Sequence, residues 1–165
     1  MLKKVGALSA VLVASVLAVV VGAAPAHADG AAVVGVPDFV MTSNGGTVAT
    51  CSASGYANWF VYPEGDAAVQ YGGSTTCNRY VKMNGTAELI LNGGGTVSSN
   101  SFSLLVAQSG SAYGLIASSP GTTYFIKYTT SVWAPIGFSW TTVPPQCTVS
   151  APKITCTMLT PFTVS

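Results

Sequence analysis

The sequence predicts an all-β protein. The expected fold is an antiparallel β-sandwich cross-linked by two disulfides, and an immunoglobulin-like strand arrangement is one possibility for that sandwich. Short runs rich in Val, Ile, Thr and aromatic residues recur about every 8 to 12 residues, with turn residues between them. No segment after the N-terminal apolar run keeps a helical period. Antibody-type cysteine spacing is absent, because Cys51 and Cys77 are too close in sequence for the usual inter-sheet pair.

Residues 1–28 have the pattern of a secretory signal peptide. Lys3 and Lys4 precede an apolar run, and Ala26 and Ala28 occupy the A-x-A positions of a cleavage site before Asp29. We therefore expect one mature domain, 29–165, that is secreted or held at the cell envelope. No second apolar run is long enough to span a membrane, so no span is expected after cleavage.

The charge of the mature domain excludes several functions. Of six basic residues, Lys3 and Lys4 leave with the signal peptide, so four remain against five acidic residues, a net charge of −1. Such a chain lacks the basic footprint that nucleic acid requires. The only histidine, His27, also precedes the cleavage site, which removes the usual base near neutral pH and the commonest metal ligand. We predict no metal and no cofactor.

Four cysteines in an exported chain predict two disulfides, for which three connectivities are possible. Proximity in sequence favours Cys51–Cys77 and Cys147–Cys156. The second pair would lie directly opposite in a hairpin that turns at Ala151-Pro152. A four-cysteine zinc site is the alternative, but the C-x-x-C spacing is missing.

The first half of the domain predicts short strands. A first strand between Asp29 and Ser43 is expected to be broken or bent at Pro37, and turns are expected at 44–46, 54–55, 63–66 and 72–73. Residues 79–91 resemble a hairpin, because Asn84-Gly85 between two β-rich runs favours a type I′ turn. In that register Lys82 and Glu88 need not pair. The sequon at Asn84 is explained by the same turn.

The second half contains the clearest strand. After breaks at 92–95, 109–110 and 119–121, alternation over 122–133 predicts a core face, and Trp133 falls on the other face. The predicted core face consists of Tyr124, Ile126, Tyr128, Thr130 and Val132. Phe102, Leu104 and Val106 alternate in the same way and predict one buried face. Prolines bracket the segment 137–142, which is typical of an edge or corner between sheets.

The sequence predicts no catalytic residue. Without a histidine or a free cysteine, Ser-His-Asp and Cys-His sites are excluded, and no phosphate loop or G-x-S-x-G is present. Carboxylate chemistry by Glu64, Asp66 and Glu88 leaves a small glycoside hydrolase as an alternative. The ordinary interpretation of Glu64 and Asp66 is a solvated turn.

Aromatic side chains are the candidates for binding, since exposed rings stack on sugars or anchor partners. We single out Trp59, Tyr62, Trp133 and Trp140. Each tryptophan could instead belong to the core. The stiff segment Val143-Pro144-Pro145-Gln146-Cys147 leaves a protease inhibitor as another alternative, or else it forms a structural corner.

The export signal and the Thr/Ser/Gly-rich strands resemble those of secreted proteins of high-GC Gram-positive bacteria. A small two-disulfide secreted sandwich also resembles the apoproteins that carry enediyne chromophores, which implies small-ligand carriage as a further alternative. The function that the sequence favours is a non-catalytic binding or cell-envelope-associated module. Its expected partner is cell-wall carbohydrate or an extracellular protein.

Overall fold

A computed structural model describes residues 29–165 and confirms an all-β, antiparallel architecture with no helix in that range. The signal-peptide prediction concerns residues 1–28 and lies outside the described part. The eight strands are β1 (Gly30–Ser43), β2 (Val48–Val61), β3 (Ala67–Leu91), β4 (Thr96–Ser118), β5 (Thr123–Trp133), β6 (Phe138–Thr142), β7 (Cys147–Ser150) and β8 (Lys153–Thr163).

All eight strands belong to one sheet, ordered β6-β1-β2-β3-β5-β8-β7, with β4 paired to β3. The 25-residue β3 is the spine of this sheet. Strand β4 follows both halves of β3 along one edge. Strand β2 takes the first half of the opposite edge, at 67–77, and β5 takes the second half, at 82–91. The two halves of β3 therefore carry two arms of the sheet.

The two arms curl toward each other and give the sheet a nearly barrel-shaped form. Trp59 of β2 stacks on Phe162 of β8 with ring centroids 5.2 Å apart. Farther along, the Trp140 indole N–H of β6 donates to the Pro152 carbonyl beside β7, at 2.9 Å. The structure does not confirm a two-sheet sandwich or an immunoglobulin-like fold, because the arms remain one continuous sheet.

Two irregularities bend the strands. The register of β1 against β2 shifts between Val36 and Phe39, which confirms the bend predicted at Pro37. The register of β3 against β4 shifts between Thr76 and Val81, where the spine passes from one arm to the other. Residues 78–80 within this shift are exposed, so the corner of β3 is accessible to solvent.

The predicted core face of β5 is confirmed. Tyr124, Ile126, Tyr128, Thr130 and Val132 are all buried. The core also contains Phe39, Met41, Tyr71, Met83, Leu89 and Met158, each 1% exposed or less.

Tyr128 crosses the interior from β5 to the opposite arm. Its ring lies where a Cβ on Gly73 would be, 2.2 Å from the ring Cδ2. Its hydroxyl lies 2.8 Å from Thr75 Oγ1, and Thr75 donates to Thr130 Oγ1 at 2.7 Å. Thr130 in turn donates to the Asn84 carbonyl at 2.9 Å. This chain satisfies the polar groups that Tyr128 brings into the core.

The burial of Tyr128 makes the free energy of unfolding depend on pH in the alkaline range. Burial raises the pKa of Tyr128 above its ordinary 10.0, and its hydrogen bonds with Thr75 and Thr130 oppose that rise. Above pH 10 the unfolded tyrosine ionises first, so this contribution to stability is complete below about pH 10 and decreases as pH rises through the folded pKa. Urea unfolding should give a difference between wild type and Tyr128→Phe that shrinks from about pH 8 to pH 11. A constant difference would contradict the prediction.

The hairpin predicted at Asn84-Gly85 is wrong. Both residues lie in the middle of β3, and Gly85 does not have a positive φ. A Cβ on Gly85 would lie 2.5 Å from the Phe102 ring and 2.6 Å from the Tyr128 hydroxyl. The glycine is therefore required for close approach of aromatic side chains, and the extended strand continues through it. Glu88 forms an ion pair with Lys127 of β5 at 2.7 Å.

Three other predicted turns are also wrong for the same reason. The pairs 54–55, 72–73 and 109–110 lie inside β2, β3 and β4. The glycines of these pairs would place a Cβ within 3.0 Å of Tyr128, Tyr56 or Phe102. By contrast, the turns predicted at 44–46, 63–66, 92–95 and 119–121 all connect strands. Each of these contains a glycine with positive φ, the conformation that side chains disfavour.

The single buried face predicted for Phe102, Leu104 and Val106 is wrong at its end. Phe102 is half-buried, but Leu104 is 36% exposed and Val106 is 75% exposed. The register between β3 and β4 shifts between Val81 and Met83, so β4 has an extra residue there and the alternation of its faces breaks.

The two disulfides join Cys51 to Cys77 and Cys147 to Cys156, the pairing that proximity favoured. Both bonds connect residues directly opposite on neighbouring strands. The first fixes β2 to β3, and the second fixes β7 to β8, so each arm has one covalent cross-link.

Candidate binding surface

The four aromatic residues singled out from the sequence lie on different elements. Trp59 is 9% exposed, stacks inside the sheet on Phe162 and donates to the Ser165 carbonyl at 3.3 Å. It presents no free ring at the surface. Trp140 is half-buried on β6, where it packs against Phe39 with centroids 5.8 Å apart. Tyr62 is 40% exposed and begins the turn after β2.

Trp133 is half-buried at the end of β5, between two lysines of the neighbouring strands. The ammonium groups of Lys82 and Lys153 lie 4.6 and 5.9 Å from its ring centroid. Cation–π contacts of this kind stabilise by about 0.5–1 kcal/mol at exposed sites. They also occupy the ring face that a sugar would need, so Trp133 is a weaker stacking candidate in the structure than in the sequence.

The carboxylates do not gather at one site. Glu64 and Asp66 are exposed in the β2–β3 turn and line an open surface pocket of about 490 Å³, together with Tyr62 and Leu115. Glu88 lies in the other half of β3 and pairs with Lys127. A hydrolytic pair would therefore have to come from Glu64 and Asp66 alone.

The segment 143–147, which the sequence offers as an inhibitor loop, is held to the sheet by backbone hydrogen bonds. Pro144 is buried, and its carbonyl accepts from the Cys147 amide at 2.9 Å. The Gln146 carbonyl accepts from the Thr157 amide of β8 at 3.1 Å. Val143 and the two residues between these anchors remain exposed. The segment thus forms a corner between β6 and β7 that is anchored at the buried Pro144 and Cys147 and exposes Val143, Pro145 and Gln146.

A surface that the sequence analysis missed lies on the outer face of β2, β3 and β4. Inward side chains alternate with outward ones along β2 and the first half of β3, and the inward set is buried. On β4 the same alternation over 109–118 leaves the inward set half-buried, apart from the buried Ala112. The register then aligns the outward residues in rows across the three strands. We call the three central rows the tyrosine face: Tyr56–Gly72–Tyr113, Asn58–Gln70–Leu115 and Ser54–Ser74–Ser111.

The middle of the tyrosine face is an aromatic row. A Cβ on Gly72 would lie 2.7 Å from the Tyr56 hydroxyl and 2.8 Å from its Cζ, so the Tyr56 ring lies over the glycine, along the sheet. Tyr113, on the other side of Gly72, is 68% exposed. Val33 of β1 lies beside Tyr56 and is 70% exposed. Together they form an apolar and aromatic band that crosses four strands.

Neutral polar groups border this band on both sides. Asn58 and Gln70 supply amides on one side, and Ser54, Ser74 and Ser111 supply hydroxyls on the other. Ser54 and Ser74 are 3.4 Å apart across the strands. None of the nine residues of the tyrosine face is charged. The arrangement offers rings for stacking, with uncharged donors and acceptors beside them.

The described residues provide no metal centre, since among 29–165 no three His, Cys, Asp or Glu side chains are grouped to hold an ion. Within the same range, no helix has the length and apolar character needed to cross a membrane. Comparison with protein-family models, with curated proteins and with solved structures finds no match to this chain.

Proposed function

We propose that this protein is a secreted, non-catalytic binding protein of the cell envelope, and that the tyrosine face binds neutral cell-wall polysaccharide. The observation that carries the proposal is the row of Tyr56 and Tyr113 across Gly72. Sugar rings present an apolar face and a polar edge, and aromatic side chains with neighbouring amides and hydroxyls are complementary to both.

The absence of charge on the tyrosine face supports a neutral ligand over an acidic polymer or nucleic acid. A polyanion would need basic residues beside the rings, and the two lysines nearest an aromatic ring flank Trp133 on the other arm. Large buried side chains, including Phe39, Tyr71 and Tyr128, occupy the interior of the sheet. That packing favours an extended ligand on the surface over a small ligand carried inside.

The test is retention on insoluble polysaccharide. Residues 29–165 would be expressed in an oxidising compartment, and depletion from solution would be measured with purified cell walls, chitin and cellulose. Tyr113→Ala is expected to weaken binding about tenfold, which corresponds to about 1.4 kcal/mol.

The matched control is Tyr80→Ala, because Tyr80 is 66% exposed at the corner of β3, outside the tyrosine face. It should bind as wild type does. Equal loss in both variants, or no retention of the wild type on any of the three materials, would reject the tyrosine face as a polysaccharide site.

A hydrolase is the second candidate, because the pocket of Glu64 and Asp66 shares Leu115 with the tyrosine face. A polysaccharide bound on the face would reach that pocket. The release of reducing ends from the same materials, lost in Glu64→Gln with Asp66→Asn, would favour catalysis. Retention without such release would favour the binding role.

A further inference from the structure

Strand β4 has a long free edge. It contains 23 residues and, within 29–165, pairs with β3 alone. One row of its backbone N–H and C=O groups therefore has no strand beside it. Such an edge is a template for pairing with another chain.

The other free edges of the sheet are short or contain proline, and β4 has neither protection. The stretches of β1 and β8 that β6 and β7 leave unpaired contain Pro37 and Pro161. The edge strands β6 and β7 have only five and four residues, and Pro135, Pro144 and Pro152 lie close to their ends. Short length and nearby proline are devices that stop edge-to-edge pairing. β4 contains no proline and no charged residue over its full length. Its register against β3 shifts at three places, which lie between Thr76 and Val81, between Val81 and Met83, and between Leu89 and Ile90.

Exposed apolar side chains are concentrated on β4. Leu105 and Val106 are 76% and 75% exposed, and Tyr113 and Leu115 are each 68% exposed. Beyond the shift opposite Thr76–Val81, residues 109–118 form a regular segment of the strand. Antiparallel pairing over a segment of this length makes about ten backbone hydrogen bonds, which is the number of direct hydrogen bonds in a typical protein interface.

We propose that the protein forms a homodimer in which β4 pairs antiparallel with β4 of a second copy. A two-fold interface must be complementary to itself, so any charge close to the axis would face its own copy. β4 meets this condition at every register because it carries no charge. Its small Ser, Gly and Ala residues also allow close approach of the two strands. This inference does not depend on the polysaccharide proposal.

Sedimentation equilibrium of residues 29–165, over a range of protein concentrations, tests the dimer. Hydrogen exchange at high and low concentration then tests its location. Amides within 96–118 should exchange more slowly at high concentration, and those of β6 and β7 should not change. A monomer at every concentration would overturn the proposal, and so would a dimer in which exchange from β4 is unaffected.

A charge variant adds a second test. Ser101→Lys with Ser111→Lys places one cation at an exposed position in each half of β4. Like charges brought together at an interface oppose association, so dimerisation should weaken by at least about tenfold. The matched control is Ser139→Lys, because Ser139 is exposed on the short edge strand β6. Circular dichroism would verify that all variants fold. Equal dimerisation of the β4 variant and the control would overturn the assignment.

Discussion

Replacing Gly73 with alanine is expected to destabilise the protein by about 3 kcal/mol, the upper part of the range for overpacked cores. The added Cβ would lie 2.2, 2.4 and 2.5 Å from three ring carbons of Tyr128. Tyr128 is fully buried and held by Thr75, so its ring has no open space to enter. Thermal unfolding should show a decrease in Tm of about 10 °C for a domain of this size.

The control for this experiment is Gly95→Ala. A Cβ on Gly95 meets no atom within 4 Å, and its φ is not positive. Because alanine restricts the unfolded chain, this variant should match wild type or be more stable by about 0.5 kcal/mol. If Gly73→Ala were as stable as Gly95→Ala, the packing of Tyr128 against β3 would be wrong.

Removing the Cys51–Cys77 disulfide in a Cys51→Ala, Cys77→Ala variant is expected to lower the free energy of unfolding by about 3.5 kcal/mol. The bond closes a separation of 26 residues, whereas Cys147–Cys156 closes 9. On the chain-entropy model the shorter loop is worth about 2.6 kcal/mol, so losing the first bond should be the more damaging by about 1 kcal/mol.

Urea unfolding of the two double-alanine variants, without reductant, measures this order directly. All four cysteines are buried, so the loss of packing on truncation is similar at the two sites. A larger loss on removing Cys147–Cys156 would show that local packing of β7 against β8 outweighs the entropy of the longer loop.

The alternation of β5 was predictable because one face of that strand is wholly apolar or hydrogen-bonded and its turns carry proline or glycine. The cysteine pairing was predictable for a similar local reason, since each pair is close in sequence. Turns with a positive-φ glycine, such as Gly46 and Gly65, were also predicted correctly. In each case the determining interaction is local, with the cysteine pairs 26 and 9 residues apart and the turns shorter still.

The remaining glycines could not be interpreted locally. Gly73 and Gly85 are required by Tyr128, which is more than forty residues away in sequence, and Gly72 is required by Tyr56. From the sequence alone, a glycine in a turn cannot be distinguished from a glycine that packs beneath a ring of a distant residue. Reading these residues as turns divided β3 and β4 into short strands.

The same error hid the tyrosine face. Its rows exist only if β2, β3 and β4 run unbroken past Gly55, Gly72 and Gly110. One signal was available in the sequence: small or apolar residues alternate with polar and aromatic ones from Cys51 to Phe60, straight through Gly55. Trp59 was a candidate because its ring is large, but that ring is part of the core.

The order of strands in the sheet also limits how fast the chain can fold. Hairpins of sequence neighbours, such as β1 with β2 and β3 with β4, can form early. The pairing of β1 with β6 places Thr42 beside Ser139 and must wait for closure of a loop that spans most of the domain. Proteins dominated by such distant pairings fold in milliseconds to seconds. During that time unpaired strand edges are open to other chains, so refolding at low protein concentration should give the best yield.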